Sequence, residues 1–172
     1  MTLLYLVRHG ETVDNANHIM QGQTQGELNE HGIKQAEELA DRLKDEPIDA
    51  FVSSDLQRSI HTCELIARPH GKAVTTTPLL RERDWGSFTG KHIPSLANLN
   101  APSLWPDDIE SLDALKARAK EFLTWLKEEY PEKKVLAVGH GIINKAIQSV
   151  YFDKPMNELK PMSNAEIRMI EL

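Results

Sequence analysis

The chain has 172 residues, 40% hydrophobic and 27% charged, with 26 acidic against 20 basic side chains and a formal net charge of −6. That balance excludes a surface built for nucleic acid or an anionic membrane, while leaving room for a local basic pocket. Cys63 is the single cysteine, which excludes an internal disulfide and predicts a reducing, cytoplasmic compartment. The N-terminal apolar stretch has no basic leader and is too short to span a bilayer, so neither a signal peptide nor a membrane anchor is expected. A chain of this length suits one domain over residues 1–172, able to bury roughly 70% of its unfolded surface.

"LLYLV", residues 3–7, has the unbroken apolar pattern of a strand buried on both faces, and it stops on Arg8, His9 and Gly10. Residues 9–28 lack periodicity, and a long irregular stretch inside a compact domain is often functional. Asn29 is placed to cap a helix whose apolar side is Ile33, Ala36, Leu39, Ala40 and Leu43, ending before Pro47. "DAFVSS", 49–54, reads as a second strand. A helix follows from near Ser54 or Asp55 and stops before Pro69, because the residue preceding proline resists the helical conformation. "KAVTTT", 72–77, is a β-branched third strand.

Residues 83–110 form a second irregular zone, with Gly86, Gly90, Pro94, Pro102 and Pro106, and read as a short lid. Ser111 caps a helix with the stripe Leu112, Leu115, Ala119, Phe122 and Leu126, closed by Pro131. "KVLAVG", 134–139, is a fourth buried strand, followed by a helix from about Ile142 to Tyr151. "AEIRMIEL" is an edge strand with period-two alternation. Strands alternating with helices predict an α/β fold with a mostly parallel sheet.

In such sheets the ligand crevice lies beyond the carboxyl ends of the strands. Arg8 and His9 leave the first strand, and Arg58 falls in the first turn of the helix after the second. Glu82 follows the third strand and His140 leaves the fourth. Each alone has a bland reading as a surface or packing residue. Together they put two arginines at one end of a sheet, where an unpaired buried charge would cost several kcal/mol. An anionic guest resolves that cost. Phosphate suits the set, because guanidinium forks match its oxygens and helix starts near residues 55 and 142 could add N–H groups. Gly10 and Gly141 allow close approach, and a neutral imidazole is a competent nucleophile towards phosphorus.

Five segments in order, "LVRHGETVDN", "QGQTQGELNEHGIKQAEEL", "VSSDLQRSIHTCELI", "LLRERDWGSFTG" and "VLAVGHGIIN", resemble the histidine phosphatase superfamily. Its members include cofactor-dependent phosphoglycerate mutases and alpha-ribazole phosphatases. The resemblance runs from about residue 3 to residue 147. It implies a three-layer sandwich of the phosphoglycerate mutase type, with helices on both sides of the sheet. It further implies that His9 becomes phosphorylated, that Arg8, Arg58, His140 and Asn15 bind the phosphoryl oxygens, and that Glu82 passes the proton. Gln21, Gly22 and Gly141 fall at substrate-side positions. The expected activity is a metal-independent, cofactor-free hydrolysis of small phosphorylated metabolites.

Mutases of this superfamily carry a long insertion after the acidic residue, with added arginines. Here Arg83 and Lys91 echo part of that set, yet no arginine or lysine lies between Lys91 and Lys116. Net hydrolysis is therefore expected ahead of mutase chemistry. A metallohydrolase using His9 and His140 is a third reading, disfavoured by the lack of paired-histidine spacing. A domain that only binds phosphorylated ligands is a fourth. Trp85, Phe88 and Trp105 read either as an apolar wall for the leaving group or as lid packing. The remaining histidines read as surface or packing residues, and no oligomeric state is predicted.

Overall fold

The computed structural model describes residues 1–172. Its sheet has five strands, β1 (Leu3–Arg8), β2 (Ala50–Ser54), β3 (Val74–Thr77), β4 (Lys134–Gly139) and β5 (Ile167–Glu171), in the order β3-β2-β4-β1-β5. All neighbours run parallel except β5, which pairs antiparallel with β1 at the edge. The helices are α1 (Val13–Ala16), α2 (Glu30–Leu43), α3 (Gln57–Ala67), α4 (Leu112–Glu129) and α5 (Gly141–Phe152).

Successive strand side chains point to opposite faces, and β1 shows the consequence. Leu4 and Leu6 join Val52, Val135 and Ala137 beneath α4 and α5, in a core that includes Leu115, Phe122, Leu126, Ile143 and Ile147. Tyr5 and Val7 join Phe51, Leu136 and Val138 beneath α2 and α3, with Leu39, Cys63 and Ile66. The result is the expected three-layer α/β sandwich. Asn29 Oδ1 accepts the Gly32 N–H and Ser111 Oγ the Ala114 N–H, so α2 and α4 start where their capping residues place them.

Two expectations change. Leu112, counted in the α4 stripe, is 42% exposed; it stands at the first residue of the helix, and Leu123 completes the buried set instead. The irregular stretch 9–28 holds one short helix, α1, whose capping box joins Thr12 and Asn15.

The exit from β1 is pressed against α2 backbone to backbone. A Cβ at Gly32 would stand 2.0 Å from the Glu11 carbonyl oxygen, and one at Gly10 would stand 2.5 Å from the Gly32 carbonyl oxygen. On an open helix surface Gly→Ala would gain about 1 kcal/mol of helix propensity. Here the overlap is with backbone that has nowhere to go. Gly32→Ala should therefore lower stability by about 1–3 kcal/mol, the usual scale of overpacking, read as a lower urea midpoint at unchanged m value. A gain in midpoint would show that the β1 exit yields easily.

Candidate active site

The sheet register brings the two histidines together. Arg8 is paired with Gly139 across β1 and β4, so the next residues, His9 and His140, leave adjacent parallel strands at the same height. Their ring centroids are 5.0 Å apart at 61°. Ser53 pairs with Val138, which sets Ser54 beside the same rim, and its Oγ lies 2.7 Å from His140 Nε2. The Leu56 N–H donates to Ser54 Oγ, leaving the Ser54 hydroxyl hydrogen free to donate to His140 Nε2. Ser59 Oγ lies 3.1 Å from the same nitrogen and donates to the Gly139 carbonyl. Both hydroxyls thus contact Nε2, while His140 Nδ1 is a buried atom without a protein partner.

His9 is oriented by its own backbone neighbour. Its Nδ1–H donates to the Gly10 carbonyl at 2.7 Å, so Nε2 keeps the lone pair. Burial, then the Arg58 and Arg8 charges, hold His9 down at about 3 against the opposing Gly10 bond. His140 is also pushed well below its ordinary value by burial, then by Arg58, His9 and Arg8. Both imidazoles are neutral at physiological pH.

Arg58 is 1% exposed and organises the irregular loop around itself. Its Nη2 donates to the Gly22 carbonyl at 2.8 Å, and its Nη1 to the carbonyls of Thr24 and Gln25. Arg8 Nη1 donates to the Met162 carbonyl at 2.7 Å. Neither belongs to an ion pair, and the Nε of each is a buried donor without a partner. Burial lowers Arg58 to about 10, against the pull of Glu82 and Asp14, so it stays cationic at neutral pH.

The helix starts do not serve as expected. The N-cap of α5 is His140 and that of α3 is Leu56, and neither side chain caps its own helix. Helix N–H groups left without partners are costly, and distant residues satisfy them. Glu82 accepts the N–H of Ile142 at 3.1 Å and of Ile143 at 3.0 Å, together with that of Arg83. Gln25 accepts the N–H groups of Gln57 and Arg58. α3 also begins at Gln57, later than Ser54 or Asp55. These N–H groups hold protein oxygens in place of a ligand.

Arg8, His9, Arg58, Glu82 and Gly141 all line one cavity of about 290 Å³. Asn15, Gln21 and Gly22 line it too, while His140 sits behind His9 without reaching the wall. Asn15 Oδ1 accepts from Thr12 and Asn164, and Gln21 Oε1 accepts from Thr12 Oγ1, so each can offer its NH₂ group to a ligand. Trp85 forms part of the wall. Phe88 and Trp105 pack the lid, Trp105 lying 5.3 Å from Trp85 and 6.0 Å from Phe88 by ring centroids. Ile19, Met20, Ile93, Ile142, Lys145, Pro161 and Met162 also line the walls, and none was expected there from sequence. Of these only Lys145 had a usable signal, its place one helical turn after Gly141. No set of three or more His, Cys or carboxylate side chains is placed to hold a metal ion, and no helix is long and apolar enough to cross a membrane.

A parallel sheet that sets a neutral imidazole and two unpaired guanidinium groups on one cavity, with a second imidazole packed against the first, defines an oxyanion-handling α/β protein. The family model described as histidine phosphatase superfamily (branch 1) matches residues 4–172, and the chain belongs to that superfamily. It is 35% identical over 141 residues to the uncharacterized phosphatase PhoE of Bacillus subtilis (strain 168), covering 82% of this chain and 72% of PhoE. It is 43% identical over 96 residues to the probable phosphoglycerate mutase GpmB of Yersinia pestis (strain Pestoides F), covering 56% of this chain and 45% of GpmB. A mycobacterial glucosyl-3-phosphoglycerate phosphatase, solved as a complex with VO3, matches with a TM-score of 0.88 at 28% identity, over 98% of this chain and 92% of that one.

The buried histidines set a pH dependence of stability. Unfolded imidazole binds a proton near pH 6.5, whereas folded His9 does so only at about 3; the unfolded state therefore gains protons first as pH falls. His9 alone should cost about 2 kcal/mol of stability between pH 7 and pH 5, a window above most carboxylate titration. His9→Asn should flatten the urea-midpoint profile over that range. An unchanged profile would mean that His9 is already protonated in the folded protein.

Proposed function

We propose that the chain is a phosphoric monoester hydrolase acting on small phosphorylated metabolites through a phosphohistidine on His9. The observation that carries this reading is that two guanidinium groups belonging to no ion pair, Arg8 and Arg58, line one cavity with an imidazole whose Nδ1 donates to the Gly10 carbonyl and whose Nε2 is left unprotonated. Phosphoryl transfer asks the protein mainly for positioning and for positive charge around the equatorial oxygens.

In the first step the His9 Nε2 lone pair attacks phosphorus and the bond to the leaving oxygen breaks, with Glu82 delivering its carboxyl proton to that oxygen. In the second, water attacks phosphorus and the N–P bond breaks. Glu82 takes the proton released by the water, and inorganic phosphate leaves. Arg8, Arg58 and the Asn15 amide, which line the cavity, hold the transferred oxygens, His140 supports the His9 ring from behind, and Gln21, Gly22 and Gly141 shape the substrate side. The three N–H groups that grip Glu82 fix its carboxyl in the wall. Ser54 acts through His140, holding the ring in place by its contact with Nε2.

Mutase transfer back to a sugar acid is the second reading, favoured by the GpmB similarity. Against it, Arg83 and Lys91 do not line the cavity. Arg83 is stacked 5.0 Å and 5.1 Å from the Trp85 and Trp105 rings, with Nε bonded to the Glu110 carbonyl.

His9→Ala should abolish turnover of an aryl phosphate together with the acid-labile, alkali-stable phosphoryl label trapped by quenching; a label that survives would move the nucleophile elsewhere. Activity should persist in excess EDTA, and its loss would favour the metallohydrolase. Glu82→Gln should slow esters of poorly leaving alcohols by 10²-fold or more while sparing good leaving groups. An equal loss for both would remove Glu82 from proton transfer.

A further inference from the structure

The cavity extends past the phosphoryl cradle, and its far walls have a definite chemistry. Ile19 and Met20 face it from the loop, Trp85 and Ile93 from the lid, and Met162 from the segment before β5. Among these apolar walls stands one cation that the phosphohistidine cycle does not use. Lys145 is half-buried, lines the cavity and belongs to no ion pair. It lies four residues beyond Gly141 on α5, so the two share a helix face about 6 Å apart along the axis. Gly141 itself abuts the cradle, since a Cβ there would come within 3.4 Å of Arg8 Cζ. Glu82 lines the same cavity but forms no ion pair with the lysine, its oxygens accepting the N–H groups of Arg83, Ile142 and Ile143 instead.

The walls are pinned in place. Met20 N–H donates to the Lys91 carbonyl at 2.9 Å, Gly90 N–H to the Met20 carbonyl at 2.7 Å, and Ile93 N–H to the His18 carbonyl at 2.8 Å. Loop and lid thus form one strapped surface facing Lys145. A chain of net charge −6 repels anions at long range, so an anionic leaving group is favoured at short range by a cation on the cavity wall.

We propose that Lys145 is a second anion subsite, and that the preferred substrates are phosphomonoesters whose leaving group is a compact apolar body bearing a carboxylate. This rests on the phosphatase reading above and adds the chemistry of the leaving group. The phosphoryl group sits between Arg8 and Arg58, the apolar body lies along Trp85 and Met20, and the carboxylate meets the Lys145 ammonium.

The test compares 3- and 4-carboxyphenyl phosphate with the matching carbamoylphenyl phosphates, which keep the shape and remove the charge. The wild-type chain should favour one carboxylate over its amide by roughly five- to tenfold in kcat/KM, the scale of a partly desolvated ion pair. K145Q should bring that ratio close to one, and K145R should restore it. Hydrolysis of all four esters with no charge preference, or a preference that survives K145Q, would overturn the subsite and leave the phosphatase reading standing. Failure to hydrolyse any of them, p-nitrophenyl phosphate included, would overturn both.

Discussion

The structure depends on burying two guanidinium groups without giving either a carboxylate. A buried cation is tolerated only when its hydrogen-bonding capacity is met, and Arg58 meets much of its own with the carbonyls of Gly22, Thr24 and Gln25. That solution fixes the loop as much as it fixes the arginine. Gly26 has φ +71, and a Cβ there would lie 2.8 Å from Arg58 Cδ and 2.9 Å from Gln21 Oε1. A glycine is required because the loop wraps the side chain so closely. The Nε is left as a buried donor without a protein partner, on a residue that lines the cavity. Burial first, and then the same two charges, lower His9 and His140, so the groups that would hold an oxyanion also help keep the His9 imidazole unprotonated.

Much of this was legible in the sequence because it follows from strand ends. Periodicity placed β1, β2 and β4, and once these run parallel, Arg8, His9 and His140 must share a rim. Helix caps read equally well where the capping residue is local, as at Asn29 and Ser111. The failures have the opposite character. α5 and α3 borrow their caps from Glu82 and Gln25, which are distant in sequence, and no local pattern announces a cap supplied from another element. The loop 9–28 showed no periodicity because its shape is set by the Arg58 side chain and not by a repeating apolar face. Ile19, Met20 and Ile93 were missed for the same reason. Leu112 was misread because periodicity gives the direction of a stripe and is silent on where the helix outruns its cover.

Borrowed caps also explain how the lid and the catalytic rim form one mechanical unit. Glu82 joins the end of the third strand's connection to the start of α5, directly after His140. The backbone before it is held from α4: Arg118 donates to the carbonyls of Leu79, Arg81 and Glu82 and forms an ion pair with Glu110 at 2.9 Å. Both members of that pair are largely sheltered, at 17% and 15% side-chain exposure, which reduces the solvent screening that makes surface pairs nearly worthless. Arg83, the next residue along, reaches Glu110 by its carbonyl and lies against the lid tryptophans. A disturbance at Glu110 would therefore reach the Glu82 carboxyl through Arg118 and the connecting backbone, without passing through the cavity. Two basic side chains near Glu82, Arg83 and Arg118, are both committed to this scaffold. Among the lysines and arginines, that leaves Lys145 as the cation on the leaving-group side of the site.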